Sequence, residues 1–386
     1  MRECQNFIRV LLITFVPLEL KGAGTSNLCN QLVSFLSEKP VIKLEVCALA
    51  QTEKISDFGS WHYATFRGLP LKFLTDISPS MILYVLKRQR NCDRILIIGT
   101  CWTTTVIALL LRFISPHIKI VQIPLIHKDF IFRDPFAKLL YELKKWMIYL
   151  FNFKLVQPIL IVFSREEGIM VKPFVRNVII RPLGIDLKSI IRKATLIKRE
   201  LTHQTPREKL ILLHIGEISR NKFPIFALEV VRSLKELVGD KVKLIAVGRI
   251  RERHYKKLRE YIKRYNLENV ITFTGLVPED KLLKYWLDAN VYVLFSKSES
   301  GPFTVLEAMA MGVPVVATRT GIIPELEEKG MLFAVRYGDV EGMVTKILRL
   351  WKDEILRNYM TRKTRSELPK YDVKYFLETV YQELIS

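Results

Sequence analysis

The chain has 386 residues, 49% hydrophobic and 26% charged, with a formal net charge of +21. This length exceeds the ordinary size of one hydrophobic core, so two domains are expected, and the composition excludes a disordered or low-complexity chain. The positive surplus favours partners bearing phosphate, whether nucleotide, anionic lipid or nucleic acid, without choosing among them.

At the start, "MRECQNFIRVLLITFVPLEL" places Arg2 before an apolar run, as a signal peptide would. Glu3 and Arg9 interrupt the run and no small-residue cleavage site follows, which argues against that reading. Other apolar runs fall short of the roughly 18–20 residues of a spanning helix, so no transmembrane segment is expected. Cys4, Cys29, Cys47, Cys92 and Cys101 are odd in number and lack C-x-x-C spacing, pointing to free thiols in a reducing compartment rather than disulfides or a metal site.

Ile8–Val16 reads as a strand, "KGAGTSN" as a glycine loop, and the spacing of Leu28, Leu32, Val33, Phe35 and Leu36 as a helix. This is the opening unit of a doubly wound α/β domain. Strands are predicted at Lys43–Ala48, Ile95–Ile98, Ile118–Gln122, Leu160–Phe163 and Val178–Arg181, with helices between several of them. After Asp186, "LKSIIRKATLIKRELTHQTPREK" is basic and weakly periodic, and reads as a connection. A second alternation follows: strand Leu210–Ile215, turn "GEISRNKFP", helix Ile225–Leu237, strand Val242–Val247, a charged helix around Glu252–Tyr265, strand Val270–Phe273, helix Glu279–Asp288, and strands Val291–Phe295 and Val313–Thr318. Two such domains are expected to hold a ligand where the carboxyl ends of their strands face each other.

Between the last two strands lies "SKSESGPFTVLEAMAMGVPVV", Ser296–Val316. Gly301 and Pro302 suit a helix start and Gly312 a stop, so a helix is predicted to Met311. Only Thr304 and Glu307 on it are polar, and at i, i+3 they share a face. A buried carboxylate needs donors, and the helix N-terminus beside it offers unpaired N–H groups to an anion. A ribose next to a phosphate would meet both demands; so would a structural glutamate bonded to a neighbouring turn.

The pattern Glu299-x7-Glu307, Ala-Met-Ala-x-Gly-x-Pro-Val-Val-Ala-Thr, then Gly321-x-x-Pro324-Glu325, resembles the retaining glycosyltransferases of family GT4, which have the GT-B fold. The resemblance extends to "ILLHIGEISRNKF", similar to the family's phosphate-contacting strand and loop, and to "VITFTGLVPEDKLLKYWLDANVYVLFSKSES". "VIIRPLGIDLKSI" resembles the turn ending the first domain, "VQIPLIHKDF" the segment with the active-site histidine, and "YDVKYFLETVYQELIS" the last helix. It implies an α/β GT-B protein of two Rossmann-like domains, 1–190 on the acceptor side and 191–365 on the nucleotide-sugar side, with 366–386 returning to the first.

The resemblance further implies that Glu299 contacts hydroxyls of the donor sugar and Glu307 holds the ribose. Gly216, Arg220, Lys222 and the backbone around Gly301, Pro302, Phe303 and Thr304 would receive the diphosphate. Gly275 and Leu276 would border the base, Gly24 would lie against the diphosphate or acceptor, and His127 would stand beside the reacting sugar carbon. His127, Glu299 and Lys222 are the expected catalytic residues. No cofactor is implied, since the nucleotide sugar is a co-substrate. The absence of any Asp-x-Asp agrees with metal independence. The expected reaction moves a hexose to a glycan or lipid-linked saccharide at the cytoplasmic side of a membrane.

Where the family usually has Gly-Arg, this chain has Gly216-Glu217. Either Glu217 points away from the diphosphate and Arg220 supplies charge, or donor binding is weak. Without the resemblance, His127 reads as a surface histidine. "PFAKLLYELKKWMIYLFNFK", Pro135–Lys154, joins lysines to aromatics and reads either as a core helix with a basic edge or as a peripheral contact with an anionic membrane. The other function classes are an epimerase-like or degenerate GT-B protein and a basic nucleic-acid-binding protein. No nucleic-acid module is recognisable, so nucleic acid is not an expected partner.

Overall fold

The computed structural model describes all residues except 1–6, 17, 19–23, 51–53, 58–60, 68–76, 126–141, 144 and 201–207. The first strand, β1 (Ile8–Thr14), has Val10–Ile13 essentially inaccessible to solvent, as expected of a β-branched run covered on both faces. It pairs in parallel with β2 (Ile42–Ala50) and β5 (Arg94–Ile98), and the sheet order is β3-β4-β2-β1-β5-β6-β7-β8. The remaining strands are β3 (Lys54–Asp57), β4 (Trp61–Arg67), β6 (Lys119–Ile123), β7 (Ile159–Val162) and β8 (Val178–Ile180). The pattern of the sequence did not announce β3 and β4; β3 pairs antiparallel to β4 and edges an otherwise parallel sheet. Helices α1 (Gly24–Ser37), α2 (Pro79–Arg88), α3 (Trp102–Ile114), a π-helical α4 (Tyr149–Leu155) and α5 (Arg165–Val171) belong to this unit.

The second sheet is wholly parallel: β9 (Leu210–Ile215), β10 (Val242–Val247), β11 (Ile271–Gly275), β12 (Val291–Leu294), β13 (Val315–Thr318) and β14 (Phe333–Val335), in the order β11-β10-β9-β12-β13-β14. Side-chain alternation divides its core. Leu212, Leu244 and Val293 face α7 (Ile225–Val238), α8 (Glu252–Arg264) and α12 (Val340–Lys352), whereas Leu213, Ile245 and Leu294 face α6 (Leu187–Glu200), α9 (Glu279–Asp288), α10 (Phe303–Met311) and α11 (Ile323–Glu328). The segment read as a connection after Asp186 is therefore largely helix. Leu187, Ile190 and Ala194 give α6 a narrow apolar stripe that packs onto the α10 side, and its many basic residues hid that stripe.

The chain divides into two compact units, one running to Pro182 and rejoined by Phe376–Ser386, the other Leu183–Tyr375. The crossing thus falls ahead of α6, not within the basic segment. Ile185 N donates to Tyr371 O at 3.0 Å and Val373 N to Ile185 O at 3.0 Å, so outgoing and returning strands of chain run side by side. A β-carbon on Gly184 would lie 2.4 Å from Tyr371 O, so only glycine allows this approach. After α13 (Glu354–Glu367), the last helix, α14 (Val373–Ile385), rests on the first unit: Phe376 meets Phe163 edge-on at 5.7 Å and Arg94 Nε donates to Leu384 O at 3.1 Å.

Candidate functional site

In the second sheet the strand order reverses between β9 and β12, and the loops after these two strands carry most of the expected site. The β9 loop is laced to the β10 loop, Gly216 N donating to Val247 O at 2.9 Å and Ile218 N to Arg249 O at 2.8 Å. Gly248, at φ 144°, passes so near that a β-carbon on it would stand 1.9 Å from Gly216 O. Asn221 then clamps the motif loop: its Nδ2 donates to Ser298 O at 3.0 Å, and its Oδ1 and backbone O accept from Ser298 N and Lys297 N at 3.1 and 2.8 Å. No sequence pattern singled out Asn221.

Glu299 sits deep in this loop, its side chain 9% exposed. Ser296 Oγ donates to Oε1 at 2.7 Å, and Lys222 Nζ lies 3.3 Å from Oε1 and 3.4 Å from Oε2. Glu299 N donates to Thr320 Oγ1 at 2.8 Å. A β-carbon on Gly321, whose φ is 54°, would lie 2.4 Å from Ser300 O, so the loop closes tightly over this glycine. Two residues expected to be catalytic, Lys222 and Glu299, are therefore joined across the β9 and β12 loops.

Helix α10 begins at Phe303 with Pro302 as its N-cap, and ends at Gly312 in the left-handed conformation, φ 78°. Pro302 thus stands one position before the expected helical start. The amides of Phe303 and Thr304 open the helix and have no intrahelical acceptor, which leaves them to an anion. Tyr292 OH lies 2.6 Å from Thr304 Oγ1 and 3.3 Å from Ile215 O, so this hydroxyl ties the start of α10 to the end of β9. Glu307, a turn further on, is half-buried and has no hydrogen-bond or ion-pair partner among the described residues. Burial pushes its carboxyl pKa up, with Lys193 of α6 opposing.

Beneath the β9 loop, His214 is fully buried between Phe223 and Phe295, ring centroids 5.1 and 5.8 Å away. Its Nδ1 lies 3.0 Å from Val293 O, which fixes Nε2 as a lone pair without a partner among the described residues. Desolvation lowers its pKa to about 4, so the ring is neutral at pH 7.

Glu217 turns to Arg251 at the N-terminus of α8, whose Nε and Nη2 each lie 2.7 Å from Oε1. The carboxylate that replaces the expected arginine is thus neutralised by an arginine from the neighbouring loop. Gly275 closes β11 at φ 69° and accepts from Gly248 N at 2.9 Å, while Leu276 is 71% exposed. Burial lowers the pKa of His254, and the charge of Arg220 acts in the same direction. Gly24 opens α1 in the first unit, and His127 lies outside the described residues. The described cysteines, Cys29, Cys47, Cys92 and Cys101, are buried and form no disulfide with one another.

Two doubly wound units and a reversal-point site define a GT-B protein of the α/β class. Sucrose-phosphate synthase from Thermosynechococcus elongatus is similar in fold, with TM-score 0.72 and 16% identity over 98% of this chain and 99% of its own. The Anabaena protein HepE in complex with UDP and glucose matches at TM-score 0.69 and 17% identity, over 98% and 100%. Residues 198–367 match the family described as Glycosyl transferases group 1. Sulfoquinovosyl transferase SQD2 of Arabidopsis thaliana is 35% identical over 174 residues, 43% of this chain and 31% of that protein, so the match spans about a third of the relative. Residues 198–367, most of the second unit, thus carry the likeness to the group 1 glycosyltransferases.

Proposed function

We propose that the protein is a retaining, metal-independent glycosyltransferase that moves a hexose from a nucleoside-diphosphate sugar to a glycan or lipid-linked saccharide, working at the cytoplasmic side of a membrane. The observation that carries this reading is the half-buried, partnerless carboxylate of Glu307 one turn from the open N-terminus of α10. An unpaired buried carboxylate is costly, and ribose hydroxyls would offset that cost. The amides of Phe303 and Thr304 would take the diphosphate at the same helix end.

Sugar transfer requires a nucleoside diphosphate to leave, so its growing negative charge is the main demand on the site. Lys222 and Arg220 would meet that charge, and the hydroxyl of Thr304, held by Tyr292, would lie beside a phosphate oxygen. Glu299, held by Ser296 and Lys222, would accept from hydroxyls of the donor sugar. Gly275 and Leu276 would border the base, and Gly216 would let the phosphates approach the loop. Gly24 and His127 keep their expected roles beside the diphosphate and the sugar carbon. Because Arg251 neutralises Glu217, the departure from Gly-Arg does not leave a bare carboxylate facing the donor.

A thermal-shift screen of nucleoside diphosphates and their sugars tests this reading, since a ligand bound only by the folded state raises Tm. A rise with one such nucleotide that is lost in Glu307→Ala supports it. No rise with any, or binding to nucleic acid that survives Glu307→Ala, overturns it.

A further inference from the structure

The helical stretch that ends in α4 presents an apolar stripe to solvent where a surface helix would carry charge. Its inner side is ordinary core: Tyr149 and Phe153 pack with Leu160, Val162 and Val171. On the outer side Leu143, Trp146, Met147 and Leu150 are 51, 58, 43 and 44% exposed, at spacing i, i+3, i+4, i+7. From Tyr149 the backbone is π-helical, and its i→i+5 bonding brings Leu155, 50% exposed, towards the same side as Leu150.

Cations border this stripe. Trp146 stacks edge-on against Phe174 at 5.5 Å, and Gln157 pins the turn beyond it, donating to Phe174 O and accepting from Arg176 N, each at 3.0 Å. Lys172 and Arg176 on that turn, and Lys154 on α4, are exposed and have no carboxylate partner among the described residues. The acid on the stretch, Glu142, is paired with Lys145. Among the described residues no helix is long and apolar enough to cross a membrane, so the stripe suits an interface and not a span.

We infer that this face is a docking surface for an anionic lipid bilayer, with Trp146 and Leu150 entering the interface and Lys154, Lys172 and Arg176 meeting the headgroups. Charge complementarity selects a bilayer over a second copy of the chain, because a two-fold contact would set this cation-bordered face against the same face, cation-bordered on both sides. The inference rests on the membrane-side reading above but not on the transfer chemistry.

Co-sedimentation of the full chain with phosphatidylcholine vesicles, with and without phosphatidylglycerol, tests it. Anionic vesicles should bind roughly tenfold more tightly, high salt should remove most of that gain, and tryptophan emission should shift to the blue. Trp146→Ser with Leu150→Ser should abolish the binding. Lys154→Glu with Lys172→Glu should remove its salt-dependent part. All four positions are exposed, so an unchanged Tm and an unchanged nucleotide response should accompany the loss. Failure to bind anionic vesicles, binding indifferent to these substitutions, or a concentration-dependent dimer lost with Trp146→Ser would overturn the inference. A lost nucleotide response with intact vesicle binding would instead sink the transferase reading.

Discussion

The loop carrying Glu299 and the helix carrying Glu307 lie next to each other in sequence, yet their carboxylates live in opposite conditions. Glu299 is bonded to Ser296 and Lys222. Glu307 has burial, which raises its pKa, opposed by the charge of Lys193. The difference teaches that one carboxylate is oriented by its own fold, whereas under the proposed function the other would be satisfied by the ligand. Orientation stabilises the fold; the open carboxylate costs stability, a cost that binding would offset.

The sharpest break of this comparison is Glu307→Gln. We expect nucleoside-diphosphate affinity to fall about 100-fold, roughly 2.7 kcal/mol, in calorimetric titration. Tm at pH 7 should rise or hold. The sign follows from the pKa: the folded value is raised above the unfolded one, so the folded state binds more protons, and stability falls as pH climbs through that window. A lower Tm in Glu307→Gln would mean the carboxylate has a structural partner.

His214 tests the Glu299 side. Its pKa is lowered from the ordinary 6.5 to about 4, so the unfolded chain binds the extra proton and stability drops as pH falls from 6.5 towards 4. At pH 5 this amounts to about 2 kcal/mol relative to pH 8. Denaturant titrations should show His214→Gln losing less stability than the parent between those two conditions.

Asn221 makes three bonds to the motif loop, one of them through its backbone and therefore retained in Asn221→Ala. The loss of the other two should cost about 1–2 kcal/mol of stability and lower kcat through a misplaced Glu299. If kcat is unchanged while Tm falls, Asn221 supports the fold alone.

The smallest effect concerns Glu217. Its pair with Arg251 is 32 and 58% exposed, so Arg251→Ala should change stability by less than about 1 kcal/mol. Donor affinity should nevertheless weaken, because the bare carboxylate then repels the diphosphate, and adding Glu217→Ala should restore it. Weakening that persists in the double variant would make Arg251 itself a phosphate contact.

Much of this was legible because period and punctuation report short-range physics. Most strands of the two sheets, though not β3, β4 or β14, announce themselves as apolar runs, and Gly312 marks the end of α10 through its left-handed turn. Strand β3 and the basic helix α6 were not legible: β3 is a short edge whose partner decides it, and the stripe of Leu187, Ile190 and Ala194 is sparse. At the site, Glu299, Glu307 and Lys222 stood out through a resemblance of motif. Asn221, Tyr292 and His214 did not, since nothing local distinguishes them from ordinary strand and turn residues.

The sequence by itself determined the alternation of strand and helix, the buried helix after Gly301-Pro302 and the pair of glutamates. These depend on neighbours along the chain. Only the tertiary structure decided that Lys222 reaches Glu299, that Arg251 neutralises Glu217, and that Glu307 has no hydrogen-bond or ion-pair partner among the described residues. Each of those depends on which loops the sheet order brings together at the strand ends, and whether a polar atom is satisfied there is a property of three-dimensional neighbours.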